Sequence, residues 1–287
     1  MTRASVSVQS TSTSTGARGA GSRSLGWRLA RWLFLLVGRL AGGVRVGLTY
    51  GFSSGEMLDY VYANQAQGSG PLGRLIDRLY LDSAGWRGIR ERRANLVRTL
   101  TAIVLARRAQ GQPTRILDVA AGPGRYLLDL AAALGPDGLD IEARDADPDA
   151  LVLGRTLAAQ RGLGQVTYAP LDALDAAVLA AIRPRPDVVV VSGLYEILLD
   201  DAAICTSLRG IWSLLPAGGL LVLTGQPRHP QLELIGNLLT HRDGSPWRMR
   251  LRSTATLNAW CAAAGFADIT TQLDSQGIFS ISVMRKP

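Results

Sequence analysis

TRILDVAAGPGRYLLDL, Thr114 to Leu130, packs a short apolar run, an acid, two glycines around a proline and a second apolar run into seventeen residues. The order reads as a strand from Arg115 to Val119, a glycine turn, and a helix that opens near Arg125. The same alternation continues downstream. Further strand candidates are Leu139 to Arg144, Val166 to Ala169, Val188 to Val191, Gly219 to Leu223 and Phe279 to Met284, with helical stretches between most of them. Strands alternating with helices predict a parallel, doubly wound α/β sheet covered on both faces.

Upstream of Gln112-Pro113 the text changes. Residues 1–24 are mostly Ser, Thr, Gly and Ala with almost nothing to bury, so a disordered tail is expected there. LGWRLARWLFLLVGRLAGGVRVGL, Leu25 to Leu48, is expected to form one basic amphipathic helix. At about 100° per residue, Arg28, Arg31 and Arg39 fall within about 80° of one another, opposite Leu29, Trp32, Leu33, Leu36 and Leu40. Its longest apolar run, Trp32 to Gly38, is far shorter than the roughly 20 residues that span a bilayer. Two placements suit it. It could lie in the membrane plane with Trp27, Trp32 and Phe34 at the acyl boundary and arginines on anionic head groups, or pack on the protein's own core or a dimer partner. Residues 49–112 read as a helical lid or substrate module and residues 113–287 as the sheet domain.

Composition narrows the class. A 287-residue chain with 47% hydrophobic residues can build a real core, which excludes a disordered or fibrous chain. The net charge of +8 says little by itself, because Lys286 is the sole lysine and the arginine excess looks like compositional bias. Its distribution says more: seventeen arginines face five acids up to Arg115, and fourteen bases face eighteen acids beyond it. Two cysteines without a C-x-x-C pair and two histidines support neither a disulfide framework nor a zinc site, and point to a reducing, cytoplasmic setting.

In a doubly wound sheet the ligand lies beyond the carboxyl ends of the strands, closest to the first strand-to-helix loop. Gly122 and Gly124 let a ligand approach the backbone, and the following helix aims free N–H groups at it. Asp145, twenty-one residues after Gly124, is placed to accept two hydrogen bonds from a ribose. Asp172, just past the third strand, is placed to accept from an adenine amino group. Arg248, Arg250 and Arg252 alternate in PWRMRLRS, so an extended segment would put them on one side, where they could bind a phosphate or carboxylate.

These residues resemble the class I S-adenosylmethionine-dependent methyltransferases. Asp118, Ala120, Gly122 and Gly124 match that family's first motif, with Ala120 where the family has its first glycine. Asp145-Ala-Asp-Pro resembles the acidic end of its second strand, Asp172 the residue beside adenine, PDVVVVSGLYEIL with Ser192 the fourth-strand motif, and LLPAGGLLVLT the turn into the fifth strand. The four motifs run in order from about Gln112 to Lys286. GEMLDYVYANQAQGSGPLGRLIDRLYLDSAGWRGIRERR and GQPRHPQLELI resemble a narrower bacterial group, some of whose members carry an α/β-hydrolase domain ahead of the transferase; no hydrolase domain is expected here.

The resemblance implies S-adenosylmethionine as cofactor, with Asp118 orienting the loop and the cofactor's ammonium. His229, just past the fifth strand, is the first candidate base and His241 the second, while Tyr195 and Glu196 would line the methyl's path. The basic helix and the three arginines together suggest an anionic lipid or lipid-linked acceptor at the inner membrane surface. Three rivals stay open. An RNA methyltransferase could use the basic N-terminal part as its electrostatic footprint, although no RNA-binding motif is visible. An NAD(P)-dependent oxidoreductase would use the same loop and acid, but Leu127 stands where its third small residue belongs. A non-catalytic cofactor-binding scaffold is the third.

Overall fold

A computed structural model describes residues 25–52, 54–240 and 246–287, so the tail expected over residues 1–24 lies outside the described residues. Where one amphipathic helix was expected there are two, α1 (Leu25–Gly38) and α2 (Gly42–Tyr50), bent by 114°. The break has a packing cause. A Cβ on Gly43 would lie 2.7 Å from the Tyr80 ring, so glycine is needed for the close approach. The Gly43 N–H donates to the fully buried carboxylate of Asp77 at 2.9 Å, which starts α2 afresh with an acid at its positive end. The helices α3 (Gly55–Ala63), α4 (Gly70–Leu81) and α5 (Ala84–Arg108) complete the N-terminal layer, and the Ser54 side chain caps α3 by accepting from Met57 N. Asp77 also accepts from Gln67 N at 2.7 Å and from the Tyr60 hydroxyl, whose pKa is pushed up to about 12 by burial and by that bond.

α1 has two apolar sides rather than one. Trp27, Ala30 and Phe34 pack on a core with Phe52, Met57 and Trp86, and Arg31 turns inward to donate to the Leu238 carbonyl at 3.0 Å. Trp27 and Phe34 are half-buried on that core side, whereas Trp32 is exposed on the other. A second stripe of Leu25, Leu29, Trp32, Leu33 and Leu36 is left exposed, Leu29 by 66% and Trp32 by 60%. GFSSG, residues 51–55, spells a G-x-S-x-G whose serine, Ser53, lies outside the described residues; the described elements on either side are the helices α2 and α3, whereas a hydrolase elbow turns from strand into helix.

The rest of the chain is the expected layered α/β unit: β1 (Thr114–Asp118), α6 (Arg125–Leu134), β2 (Leu139–Asp145), α7 (Pro148–Gln160), β3 (Val166–Pro170), α8 (Ala176–Ala181), β4 (Val188–Val191), α9 (Asp201–Leu214), β5 (Leu220–Gly225), α10 (Leu232–Leu238), α11 (Thr254–Ala263), β6 (Ala267–Leu273) and β7 (Ser280–Arg285). The sheet order is β3-β2-β1-β4-β5-β7-β6, with β1 to β5 parallel and β7 antiparallel to both its neighbours. This corrects the all-parallel expectation and adds a strand, β6. Only a short turn separates β6 from β7, too little chain for a parallel crossover, so β7 folds back between β5 and β6. β6 escapes a sequence reading because it is a polar edge strand, ADITTQL, with a register shift between Ala267 and Thr270 and a positive φ at Asp268.

Successive residues of the central strands feed opposite faces. Ile116, Val188, Val190 and Val222 pack with α5 and α6, while Leu117, Val189, Val191 and Leu221 pack with α9 and α11. Burial on both faces is why β4 reads as four valines instead of alternating. α5 places Leu96, Leu100 and Val104 against the sheet, so the boundary expected at residue 112 does not divide two packing units.

Candidate active site

The turn from β1 into α6 is built by two glycines in the left-handed region, Gly122 at φ 56° and Gly124 at φ 68°. α6 has no side-chain cap, and while Leu127 N donates to the Gly124 carbonyl, the N–H groups of Arg125 and Tyr126 are offered to the space before the helix. Asp145, at the end of β2, steadies the turn: its Oδ2 accepts from Gly122 N at 2.7 Å and its Oδ1 from Asp147 N at 2.9 Å. Each carboxylate oxygen keeps a further lone pair for a ligand. Ala120, Gly122, Gly124, Asp145, Asp172 and Ser192 line one wall of a cavity of about 820 Å³. Asp172 is exposed and also closes its own turn, accepting from Leu174 N at 2.8 Å.

Asp118 is placed differently from the expectation. It is fully buried behind the loop, outside the cavity lining, and accepts from Ala120 N at 2.9 Å and from the Tyr126 hydroxyl. It shapes the loop but does not face a cofactor's ammonium. Burial pushes its pKa from 3.8 up to about 7, against those two hydrogen bonds. Because the folded pKa is the higher one, the stabilisation from this group is complete below about pH 4 and is lost as pH rises through 7. Thermal unfolding of the wild type and Asp118→Asn is expected to show a smaller loss of stability between pH 5 and 8 in the variant; parallel curves would mean that Asp118 stays ionised throughout.

The opposite wall is apolar and comes largely from the N-terminal layer, with Phe34, Leu58, Tyr62, Trp86 and Ile89 joined by Ile235 of α10. An ion pair between Arg125 on α6 and Asp59 on α3 ties this roof to the glycine turn. Arg93 on α5 lies over the Tyr62 ring, 4.5 Å from its centroid, and pairs with Asp129 at 2.5 Å.

At the carboxyl ends of β4 and β5 the cavity wall becomes polar. Glu196, only 5% exposed, lines it; Oε1 accepts from Thr224 Oγ1 at 2.8 Å and lies 3.8 Å from Arg92 Nη1. Burial raises the Glu196 pKa, with Arg92 and Thr224 pulling it back. The neighbouring Tyr195 points away into the core, where its hydroxyl donates to Ser207 Oγ at 2.8 Å, so it does not line a methyl's path. His229 does line the cavity, but its Nδ1 accepts from Gln231 N at 3.1 Å, which leaves the proton of the neutral ring on Nε2. Burial lowers its pKa and keeps it neutral, so His229 offers a donor where a base was expected. His241 lies outside the described residues.

The three alternating arginines stay out of the cavity in which an acceptor would lie. Trp247 and Met249 face the cavity, and none of the arginines lines it. Arg252, 6% exposed, donates to the carbonyls of Tyr195 and Leu198 at 2.6 and 2.7 Å and to Asp201 at 2.9 Å, which fixes the segment after β4. Arg250 pairs with Asp201 at 2.7 Å, and Arg248 is exposed. Conversely, Asp59, Arg92 and Gln226 line the cavity without having been singled out from the sequence. Gln226 had one readable signal, its place at the carboxyl end of a strand; Arg92 is one basic residue among several in GIRERR.

The chain is similar to known proteins in sequence and in fold. A family described as "Putative methyltransferase" matches residues 2–286. The Escherichia coli (strain K12) protein YnbC, described as uncharacterized, is 43% identical over 261 residues; the match covers 90% of this chain and 44% of YnbC, so the chain spans under half the length of that relative. Among solved structures, a possible exported protein from Bordetella parapertussis superposes with a TM-score of 0.66 at 23% identity, over 91% of this chain and 94% of that one. Magnesium protoporphyrin IX methyltransferase from Synechocystis PCC 6803, solved with bound SAH, gives 0.54 at 17% identity, over 71% and 88%. The two structures share the fold with this chain.

Proposed function

Because the chain belongs to this methyltransferase family, we propose that it catalyses S-adenosylmethionine-dependent methyl transfer to an apolar, lipid-like acceptor at a membrane surface. One observation carries the reading: a single cavity has the glycine turn, the α6 N-terminus and Asp145 on one wall and an apolar helical roof on the other. The polar wall fits the cofactor. Gly122 carries no side chain to fill the approach, and Asp145 keeps acceptor capacity for a ribose diol. The bound cofactor would supply a methyl group already activated on a sulfonium. The chain's own work is then to hold the partners in line and to exclude water, which the roof and its Arg125–Asp59 tie suit.

The membrane part of the proposal rests on exposed apolar surface. Besides the outer stripe of α1, Leu72, Leu75 and Leu79 of α4 are exposed, and Leu79 and Phe34 both reach the cavity lining. No acid occurs between Leu25 and Gly55, while Arg28, Arg39 and Arg45 do, which suits an anionic bilayer. Among the described residues, no single helix is long and apolar enough to cross a membrane. An acceptor would then enter from the bilayer beside Leu79.

Two measurements test the proposal. Calorimetry is expected to give micromolar binding of S-adenosylmethionine and none of NADH; NADH binding alone would replace the reading with an oxidoreductase. The protein is expected to sediment with phosphatidylglycerol vesicles, and Leu29→Glu with Trp32→Glu to release it. These surface changes avoid α2, whose Gly42, Gly43 and Val44 are buried. Equal sedimentation of variant and wild type would sink the membrane claim.

A further inference from the structure

The cavity has a second polar end that the cofactor wall does not explain. Among the described residues, and apart from the Asp59 oxygen already paired with Arg125, two buried acceptor atoms of its lining have no hydrogen-bond partner, Glu196 Oε2 and Gln226 Oε1, and both side chains are at least 95% buried. A buried acceptor left bare costs about 1–3 kcal/mol, more when charged, and the cost disappears when a ligand donates to it. With Glu196 ionised beside Arg92, both atoms accept only, so the ligand must bring hydrogens. The carboxylate already has a counter-charge in Arg92, 3.8 Å from Oε1, and therefore does not call for a cationic ligand.

We infer that the methyl acceptor is a neutral, largely apolar molecule with a polyhydroxyl head, whose reacting hydroxyl donates to Glu196 Oε2 while a second hydroxyl donates to Gln226 Oε1. The inference rests on the methyltransferase reading. Glu196 is then the proton acceptor of the reaction. The alcohol oxygen gains its bond to the methyl carbon as the sulfur–carbon bond breaks with its electron pair left on sulfur, and the hydroxyl proton passes to Glu196 Oε2. His229 cannot take this role with its free lone pair spent on Gln231 N–H, but its Nε2–H can donate. Burial also makes Glu196 a stronger base than a solvated carboxylate. The rest of the wall, including Trp86, Ile89 and Leu234, takes the apolar body.

The test uses the full chain saturated with S-adenosylhomocysteine and follows tryptophan fluorescence, since Trp86 and Trp247 line the cavity. The probes are 1,2-decanediol, decyl methyl ether, decylamine and decanoate. The diol is expected to bind about tenfold or more tighter than each of the others. In Glu196→Leu that advantage is expected to fall below about threefold, with S-adenosylhomocysteine affinity by calorimetry unchanged as evidence of folding. If Glu196→Leu does not fold, Glu196→Gln keeps the shape and is expected to lose at least about threefold of the advantage, because a neutral acceptor replaces a charged one. Tighter binding of decylamine or decanoate, equal affinities, or a diol advantage that survives both variants would overturn the inference. Failure to bind S-adenosylhomocysteine at all would instead overturn the methyltransferase reading beneath it.

Discussion

Asp145→Ala is expected to weaken S-adenosylmethionine binding by at least about a hundredfold. In the proposed complex the carboxylate accepts from two ribose hydroxyls, each bond to a charged group is worth about 1.5–3 kcal/mol, and about 1.4 kcal/mol is tenfold in affinity. The substitution also frees Gly122 N and Asp147 N, now held at 2.7 and 2.9 Å, and so loosens the turn that receives the ligand. Asp145→Asn keeps a neutral acceptor and is expected to lose only about tenfold. Calorimetric titration of the three proteins checks the series, with circular dichroism to show that the fold persists. An alanine variant that binds within threefold of wild type would remove Asp145 from the cofactor site and undercut the assignment of that wall.

The largest loss of stability is expected from Asp77→Ala. Its carboxylate is fully buried and holds three donors from three places: Gly43 N at the start of α2, Gln67 N in the loop before α4, and the Tyr60 hydroxyl on α3. Removing one partner of such a network leaves the others buried and unmet, a loss of about 3–5 kcal/mol. In a chain of this size that lowers Tm by about 10 °C. Asp82→Ala, which removes the exposed partner of Arg78, is the control and is expected to leave Tm unchanged. Differential scanning calorimetry separates the two. A shift below about 2 °C for Asp77→Ala would mean that the N-terminal layer does not depend on this carboxylate.

Legibility followed the physics of each element. The valines of β4 and the strand, glycine turn and helix around Gly122 could be read because burial on both faces and positive φ each leave a strong local trace. β6 could not, because an edge strand solvated on one side selects no apolar run. The bend between α1 and α2 was hidden for another reason. Its cause lies in Tyr80 and Asp77, more than thirty residues away, and a helical periodicity computed along Leu25 to Leu48 contains neither. The arginines of PWRMRLRS show the ambiguity most sharply. The alternation of Arg248, Arg250 and Arg252 is plain in the sequence, but Arg250 and Arg252 are drawn away from the cavity by Asp201 and the carbonyls after β4.

What the sequence alone determined is the layered α/β class, the identity of the first turn and the two acids beyond it, since each depends on neighbours a few residues away. What only tertiary structure decided is the direction of β7, the inward turn of Arg31, the retreat of Asp118 and Tyr195 from the cavity, and the bare acceptors of Glu196 and Gln226. Those are outcomes of competition among distant groups for one buried partner or one patch of surface. Local spacing names the contestants, and only packing selects which of them faces the ligand.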